Sequence, residues 1–187
     1  MNHGLSLGSG FFKAHGHGND YLVFEEGAAW SLTSQSVQVV CDPHRGPGAD
    51  GIVALLAPDT DDSTGEGAVT PGDSPFRLRM FNPDGTEFER SGNGLRILAA
   101  HLLLTGRVGE GDRFPVEVGG GRMVMEILGW EGPGSLNVAV EMGKAGFGVE
   151  AVGGDPEGFE PGETLRAPDG SLLAVHPFKG SVGSCCI

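Results

Sequence analysis

The chain has 187 residues, a formal net charge of −13 and a hydrophobic content of 39%. An acidic balance of this size argues against binding to nucleic acids or anionic membranes, and no apolar run is long enough to cross a bilayer. The three cysteines make no disulfide framework, so the composition predicts a protein of the reducing cytoplasm.

The first predicted elements are two strands around a histidine-containing turn. Residues 1–10 lack the basic and apolar regions of a signal peptide, and we expect a flexible lead-in there. Phe11–Phe24 has strand-like ends on either side of a Gly-His-Gly-Asn-Asp turn. His15 and His17 have a spacing that could suit a metal, but no cysteine or carboxylate cluster completes a site, which favours turn histidines. The Asn19 side chain could bond within its turn or to a polar ligand, and both remain open here.

A short helix is predicted next, over Ser31–Val40, with Ser31 or Thr33 as its N-cap. Cys41 ends this helix before an Asp-Pro pair. We interpret it as a small buried residue rather than a nucleophile. The polar, glycine-rich residues 42–51 then form a loop.

Three short strands follow this loop. The first is Ile52–Leu56, and the acidic, Gly- and Pro-rich residues 57–75 after it predict an exposed, mobile loop. The second is Arg79–Asn82. Pro83–Gly85 is a turn signal, because Pro presets φ and Gly tolerates positive φ. Thr86–Arg90 alternates weakly, as the third short strand would.

The central predicted element is a helix over Asn93–Thr105. Its sequence is apolar nearly all round, which indicates a helix buried inside a curved sheet rather than one lying on a surface. Ser91 is the expected N-cap, and Gly106 has the place of the glycine that follows a helix end.

The start of this helix has the properties of an anion site. Gly92 and Gly94 allow close approach of a ligand to the backbone, and the first turn of a helix has unpaired N–H donors and positive partial charge. A carboxylate or phosphate could therefore bind at Gly92–Gly94. On these features alone an ordinary capped core helix is the favoured alternative, because glycine-rich helix starts are common.

The rest of the chain predicts strands and then weakly ordered sequence. Strands are expected at Phe114–Val118, Gly121–Leu128, Ser135–Met142 and Leu172–Val175, with glycine-rich turns between the first three. Residues 147–169 are acidic and rich in Pro and Gly. We place a first domain at residues 11–114 and an incomplete second domain at 115–187.

Several spaced motifs together resemble the diaminopimelate epimerase family. They are His15–Tyr21, Cys41–Asp42 with Gly46–Gly51, Phe81–Glu87, and Ser91–Gly94 with Arg96, followed by Gly121–Met123. The resemblance covers Phe11 to Met142, and the order of the motifs makes it specific. It implies an α+β fold of two similar domains, each a mixed barrel-like sheet around a central helix. It also implies epimerisation of LL- and meso-diaminopimelate without pyridoxal phosphate or a metal.

The same resemblance assigns site residues. Asn19 and Asn82 would contact polar groups of a small amino-acid substrate, and Gly92 and Asn93 would bind its α-carboxylate. In the family two cysteines, one from each domain, exchange protons with opposite faces of the α-carbon. The first of these positions is occupied by Ser91 in this chain.

Two departures from the family pattern predict little or no activity for this chain alone. A serine hydroxyl is far less acidic than a thiol, whose pKa is about 8.5, and needs an adjacent base. The second cysteine belongs to a later motif that the 187 residues do not contain, so we interpret the second domain as truncated. Cys185 and Cys186 are favoured as a mobile, oxidisable tail over a second catalytic thiol.

The alternative function is a non-catalytic half-enzyme that binds small amino acids or pairs with another subunit. Residues 121–142 supply strands but no second central helix to cover them. We therefore expect exposed apolar surface there, and a chain that dimerises, binds a complementary half or aggregates.

Overall fold

The computed structural model describes residues 5–58 and 74–142, and the backbone of the short segments 146–147, 164–166, 172–174, 178–179 and 184–186. The chain divides into two compact units. One is Met1–Glu141 with Gly183–Ile187, and the other is Met142–Val182. No helix among the described residues is long and apolar enough to span a membrane.

The described residues form two helices and fourteen strands. The helices are α1 (Ser34–Cys41) and α2 (Gly92–Leu104). The strands are β1 (Ser6–Gly16), β2 (Asn19–Glu26), β3 (Trp30–Ser31), β4 (Ile52–Leu55), β5 (Phe76–Phe81), β6 (Glu87–Phe88), β7 (Arg113–Val118), β8 (Gly121–Trp130), β9 (Leu136–Val140), β10 (Gly146–Phe147), β11 (Thr164–Arg166), β12 (Leu172–Ala174), β13 (Phe178–Lys179) and β14 (Ser184–Cys186). In the second unit, β10 pairs with β13 and β11 with β12, both antiparallel.

Ten described strands of the first unit form one mixed sheet in the order β14-β9-β8-β7-β5-β4-β2-β1-β3, with β6 paired to β5. Two pairs of neighbouring strands are parallel, β2 with β4 and β5 with β7. Helix α1 lies in the connection that leads to β4, and α2 in the connection that leads to β7. Parallel neighbours need such crossovers, which cover the sheet with helices. The architecture is therefore α+β with a mixed sheet.

The central strands β2 and β4 are buried on both faces. On one face, Leu22 and Ile52 belong to a core cluster with Val37 of α1. On the other face, Val53 and Met80 lie against the first turn of α2, where a Cβ added to Gly94 would come within 3.2 Å of Met80 Cε. Continuous apolar runs in these strands follow from this double burial.

Helix α2 is the buried element that the apolar pattern predicts. Its buried residues cover all sides of the first three turns, and it packs against β1, β2, β4 and β9. Ser91 is the N-cap, as expected. Gly106 follows the end of the helix with φ of +71°, a left-handed conformation that glycine adopts without strain.

The predicted lead-in is wrong for its second half. Strand β1 begins at Ser6 and pairs with β2 and β3, so residues 6–10 are part of the sheet. Leu7 is fully buried in the α1-side core. Backbone hydrogen bonds hold the segment as well, because the carbonyls of Ser6 and Leu7 accept from the N–H groups of Gly27 and Ala29.

The predicted end of the first domain at residue 114 also differs from the structure. Strands β7, β8 and β9 continue the first sheet, and the unit extends to Glu141. The side chains of Met125, Ile127 and Val138 are buried, and α2 packs against β9. The inward side chains of these strands are thus covered within the same unit, but Leu128 and Trp130 of β8 are 55% and 43% exposed, so apolar surface remains in the segment where we expected it. The dimerisation or pairing expected from that surface stays a prediction. A second epimerase-like domain beyond this unit stays a prediction.

Other boundaries shift by small amounts. Helix α1 starts at Ser34 with Thr33 as N-cap, one of the two residues proposed for that position. Residues 59–73, most of the expected mobile loop, lie outside the described residues, as does most of 147–169. Ser184–Cys186 pairs with β9 as a strand, so the backbone of this part is not a free tail.

Candidate functional site

Ser91 caps the start of α2, where two backbone N–H donors have no partner among the described residues. Ser91 Oγ accepts a hydrogen bond from the Gly94 N–H at 3.2 Å, and the Ser91 N–H donates to Met80 Sδ at 3.2 Å. The N–H groups of Gly92 and Asn93 precede the helical bonding pattern and have no partner among the described residues. Ser91, Gly92 and Asn93 are all half-buried, so these donors face a sheltered surface with the positive end of the helix behind it.

Two of the predicted site residues meet at this helix start. Asn93 Nδ2 donates to Asn19 Oδ1 at 3.4 Å, across 74 positions of the chain. Asn19 Nδ2 in turn donates to Asp50 Oδ2 at 3.1 Å. Gly16 makes room for this contact, because a Cβ there would lie 3.2 Å from Asn93 Oδ1. The β1–β2 turn and the start of α2 therefore form one polar surface.

A charged pair supports this surface from the side of β1. Lys13 Nζ lies 2.8 Å from Asp20 Oδ2 and donates to the Gly48 carbonyl at 2.6 Å. Partial burial alone raises the pKa of Asp20, but the Lys13 ammonium and the Asp50 N–H outweigh this and hold that pKa below its usual value. The pair keeps Asp20 ionised and ties the loop before β4 to the turn that positions Asn19.

Asn82 occupies a different turn from the other predicted residues. Its Nδ2 donates to Thr86 Oγ1 at 3.0 Å, and its carbonyl accepts from the Gly85 N–H at 2.9 Å. Asp84 accepts from both the N–H and the hydroxyl of Thr86. The hydrogen bonds of Asn82 among the described residues thus stay within the turn after β5, and Asn82 does not join the Asn19–Asn93 contact.

Arg96 is the residue whose burial the sequence did not predict. The residue is only 3% exposed, and within the described ranges its Nε has no hydrogen-bond partner. Its Nη1 lies 3.0 Å from the position that a Cβ on Gly92 would occupy, so the guanidinium lies over the first turn of α2. The signal in the sequence was a single cation within a helix that is otherwise apolar all round.

The surroundings of the candidate cysteine and histidines do not form a reactive or metal-binding site among the described residues. Cys41 is buried, and desolvation first, then the charges of Asp20 and Asp50, raise the pKa of its thiol to about 11. It is therefore a protonated core residue at neutral pH, as interpreted from the sequence. His15 and His17 are exposed at the β1–β2 turn. Within the part of the chain that the structure describes, no three metal-ligating side chains cluster together.

Comparison with known proteins gives a family match and several similar proteins. The model of the family described as diaminopimelate epimerase matches residues 11–148. Diaminopimelate epimerase 2 of Nostoc sp. is 37% identical over 151 residues, which are 79% of this chain and 47% of that protein. The diaminopimelate epimerase of Pelotomaculum thermopropionicum is 39% identical over 162 residues, 84% of this chain and 51% of that protein.

Among solved structures, a Bacillus anthracis phenazine biosynthesis protein of the PhzF family has a TM-score of 0.47 at 16% identity, over 76% of this chain and 42% of that one. The chain spans about half the length of the curated relatives described above.

Proposed function

The chain belongs to the diaminopimelate epimerase family, and we propose that it forms the part of an amino-acid epimerase site that binds the substrate's α-carboxylate. The proposed reaction is the cofactor-independent interconversion of LL- and meso-diaminopimelate, by removal of the α-proton on one face and its return on the other. The names of the related proteins support this substrate.

The observation that carries the proposal is the contact between Asn93 and Asn19 at the open start of α2. In this arrangement the N–H groups of Gly92 and Asn93 would receive the carboxylate, helped by the helix dipole. Asn19, oriented by Asp50, would hold a polar group of the amino acid. Asn82, at the end of β5, remains proposed as a further substrate contact.

Ser91 decides how much proton transfer this part of the site can support. A hydroxyl needs an adjacent base to act as a nucleophile or proton acceptor at neutral pH. Among the described residues, no carboxylate or imidazole is hydrogen-bonded to Ser91 Oγ, which instead accepts from the Gly94 N–H. We therefore propose that this chain binds the amino acid but transfers its α-proton slowly.

A second candidate function is binding without catalysis. The observation in its favour is the same Ser91–Gly94 hydrogen bond, because serine is a much better helix cap than the cysteine of the family motif. A chain selected for stability and binding would keep this serine.

The test compares the parent protein with Ser91→Cys and Ser91→Ala. Binding of meso-diaminopimelate is followed through the backbone amide resonances, and proton transfer through exchange of the α-hydrogen in deuterium oxide. We expect shifts at Gly92, Asn93 and Gly94 in all three proteins, with detectable exchange only for Ser91→Cys. Equal, measurable exchange by Ser91→Cys and the parent would contradict the proposal that the chain with Ser91 transfers the α-proton slowly. Unmoved amides at millimolar ligand would overturn the carboxylate site.

A further inference from the structure

The buried guanidinium of Arg96 has no hydrogen-bond or ion-pair partner among the described residues. Arg96 is one helical turn after Gly92, and side chains on a helix lean toward its N-terminus. This direction brings Nη1 to 3.0 Å from the point where a Cβ on Gly92 would lie. Only 3% of the residue is exposed, Nε is unpaired, and no described side chain or carbonyl accepts a hydrogen bond from the guanidinium.

Such a group is costly unless an anion completes it. Arginine stays ionised in proteins, and a buried charge without a counter-charge is strongly unfavourable. Here the guanidinium also lies beside the positive end of the helix dipole, which repels it. A carboxylate placed between them would be attracted by both and could accept two parallel N–H bonds from the planar guanidinium.

We propose that Arg96 is the cationic component of the carboxylate subsite at the start of α2. The anion would lie against the N–H groups of Gly92 and Asn93 on one side and the guanidinium on the other. Arg96 would then discriminate between acids and neutral compounds of the same length. This inference rests on the proposed function in so far as the acid in question is the α-carboxylate of the substrate.

The proposal also explains why residue 92 is glycine. Gly92 is not among the glycines with positive φ, so backbone conformation does not require it. A methyl group at this position would contact Nη1 at 3.0 Å and push the guanidinium away from the helix start. The glycine therefore provides clearance for Arg96 as well as for a ligand.

The test uses Arg96→Met and Arg96→Lys with three probes: glutarate, meso-diaminopimelate, and glutaramide, the neutral diamide of the same length. For the parent we expect glutarate to shift the Gly92 and Asn93 amides and glutaramide to leave them unmoved. Arg96→Met should bind glutarate roughly ten- to a hundredfold more weakly, since hydrogen bonds to a charged group are lost. Arg96→Lys keeps the positive charge but loses the planar group that donates two parallel hydrogen bonds, and it should bind glutarate with intermediate affinity.

A stability measurement separates a ligand-binding role from a structural one. Without ligand, Arg96→Met should unfold at the same or a higher urea concentration than the parent, because it replaces an unpaired buried charge by an apolar side chain of similar length. A lower midpoint, or a variant that does not fold, would show that the guanidinium is already paired within the protein and would overturn the proposal.

The two proposals fail in different ways. Unchanged glutarate affinity in Arg96→Met, or no glutarate binding by the parent, would overturn the role of Arg96. Arg96-dependent binding of glutarate with no binding of diaminopimelate would leave this inference standing and overturn the proposed substrate. Diaminopimelate binding that is equal in the parent and in Arg96→Met would leave the proposed substrate standing and overturn the role of Arg96.

Discussion

The starts of the two helices of the first unit are built in opposite ways. At α1, Thr33 Oγ1 accepts from the Ser36 N–H at 3.1 Å, and Ser36 Oγ accepts from the Thr33 N–H at 2.8 Å. At α2, Ser91 Oγ accepts from the Gly94 N–H, but glycine has no side chain to return the bond. The Ser91 N–H turns to Met80 Sδ instead.

The next turn of each helix extends the contrast. Five residues after the cap, α1 has Gln38, which is exposed and donates to the Asp84 carbonyl at 2.8 Å. The same position in α2 holds Arg96, which is buried and has no partner among the described residues. Both helix starts have the same backbone dipole, so the side chains alone make one start self-sufficient and leave the other suited to an anion.

The largest expected effect separates a buried helix from a surface helix. Leu98→Ala in α2 should lower the free energy of unfolding by about 2–5 kcal/mol, because Leu98 is fully buried and its removal leaves a cavity. Val40→Ala in α1 should cost about 1 kcal/mol, because Val40 is half-buried and loses less contact. Urea unfolding of the two variants measures the difference, and similar losses would contradict the distinction.

The caps should differ by a smaller amount. Thr33→Ala removes one of two reciprocal hydrogen bonds and leaves the other without its counterpart. It should lower the free energy of unfolding by about 1–2 kcal/mol. Ser91→Ala removes a single bond and should cost about 1 kcal/mol or less. In the same unfolding experiment, the double variant Thr33→Ala/Ser36→Ala should lose less than the sum of its single losses. Additive losses would show that no capping box operates at α1.

The smallest expected effect is on the reactivity of a cysteine placed at each cap. In a background with Cys185 and Cys186 replaced by serine, Ser91→Cys should be alkylated half-maximally about half a pH unit below Thr33→Cys, since Arg96 adds to the helix dipole. Cys41 should stay silent in the parent because burial raises its thiol pKa to about 11. Equal pH profiles for the two variants would place Arg96 too far from Ser91 to influence it.

The features that could be predicted from the sequence are those determined by neighbouring residues in the chain. Ser91, Gly106 and the apolar run between them were enough to place α2 within a residue of its observed start. The partners of β7–β9 depend on contacts with α2 and β5 that no local pattern records, and the compact unit of the structure therefore extends to Glu141, beyond the boundary placed at residue 114. The Asn19–Asn93 contact, across 74 residues, was foreseen only in so far as family resemblance assigned both residues to one site.

The outer side of β1 has a consequence for self-association. Strand β3 pairs with β1 only at Ser6 and Leu7, and no other described strand lies along that side. The register of β1 against β2 shifts between Leu7 and Phe11, where Gly8 and Gly10 occur. Irregular, glycine-containing edges of this kind twist away from a flat ladder and offer a poor template for a strand from another molecule. The part of β1 around Gly8 and Gly10 is thus protected against intermolecular pairing by its own irregular backbone, with no covering element needed there.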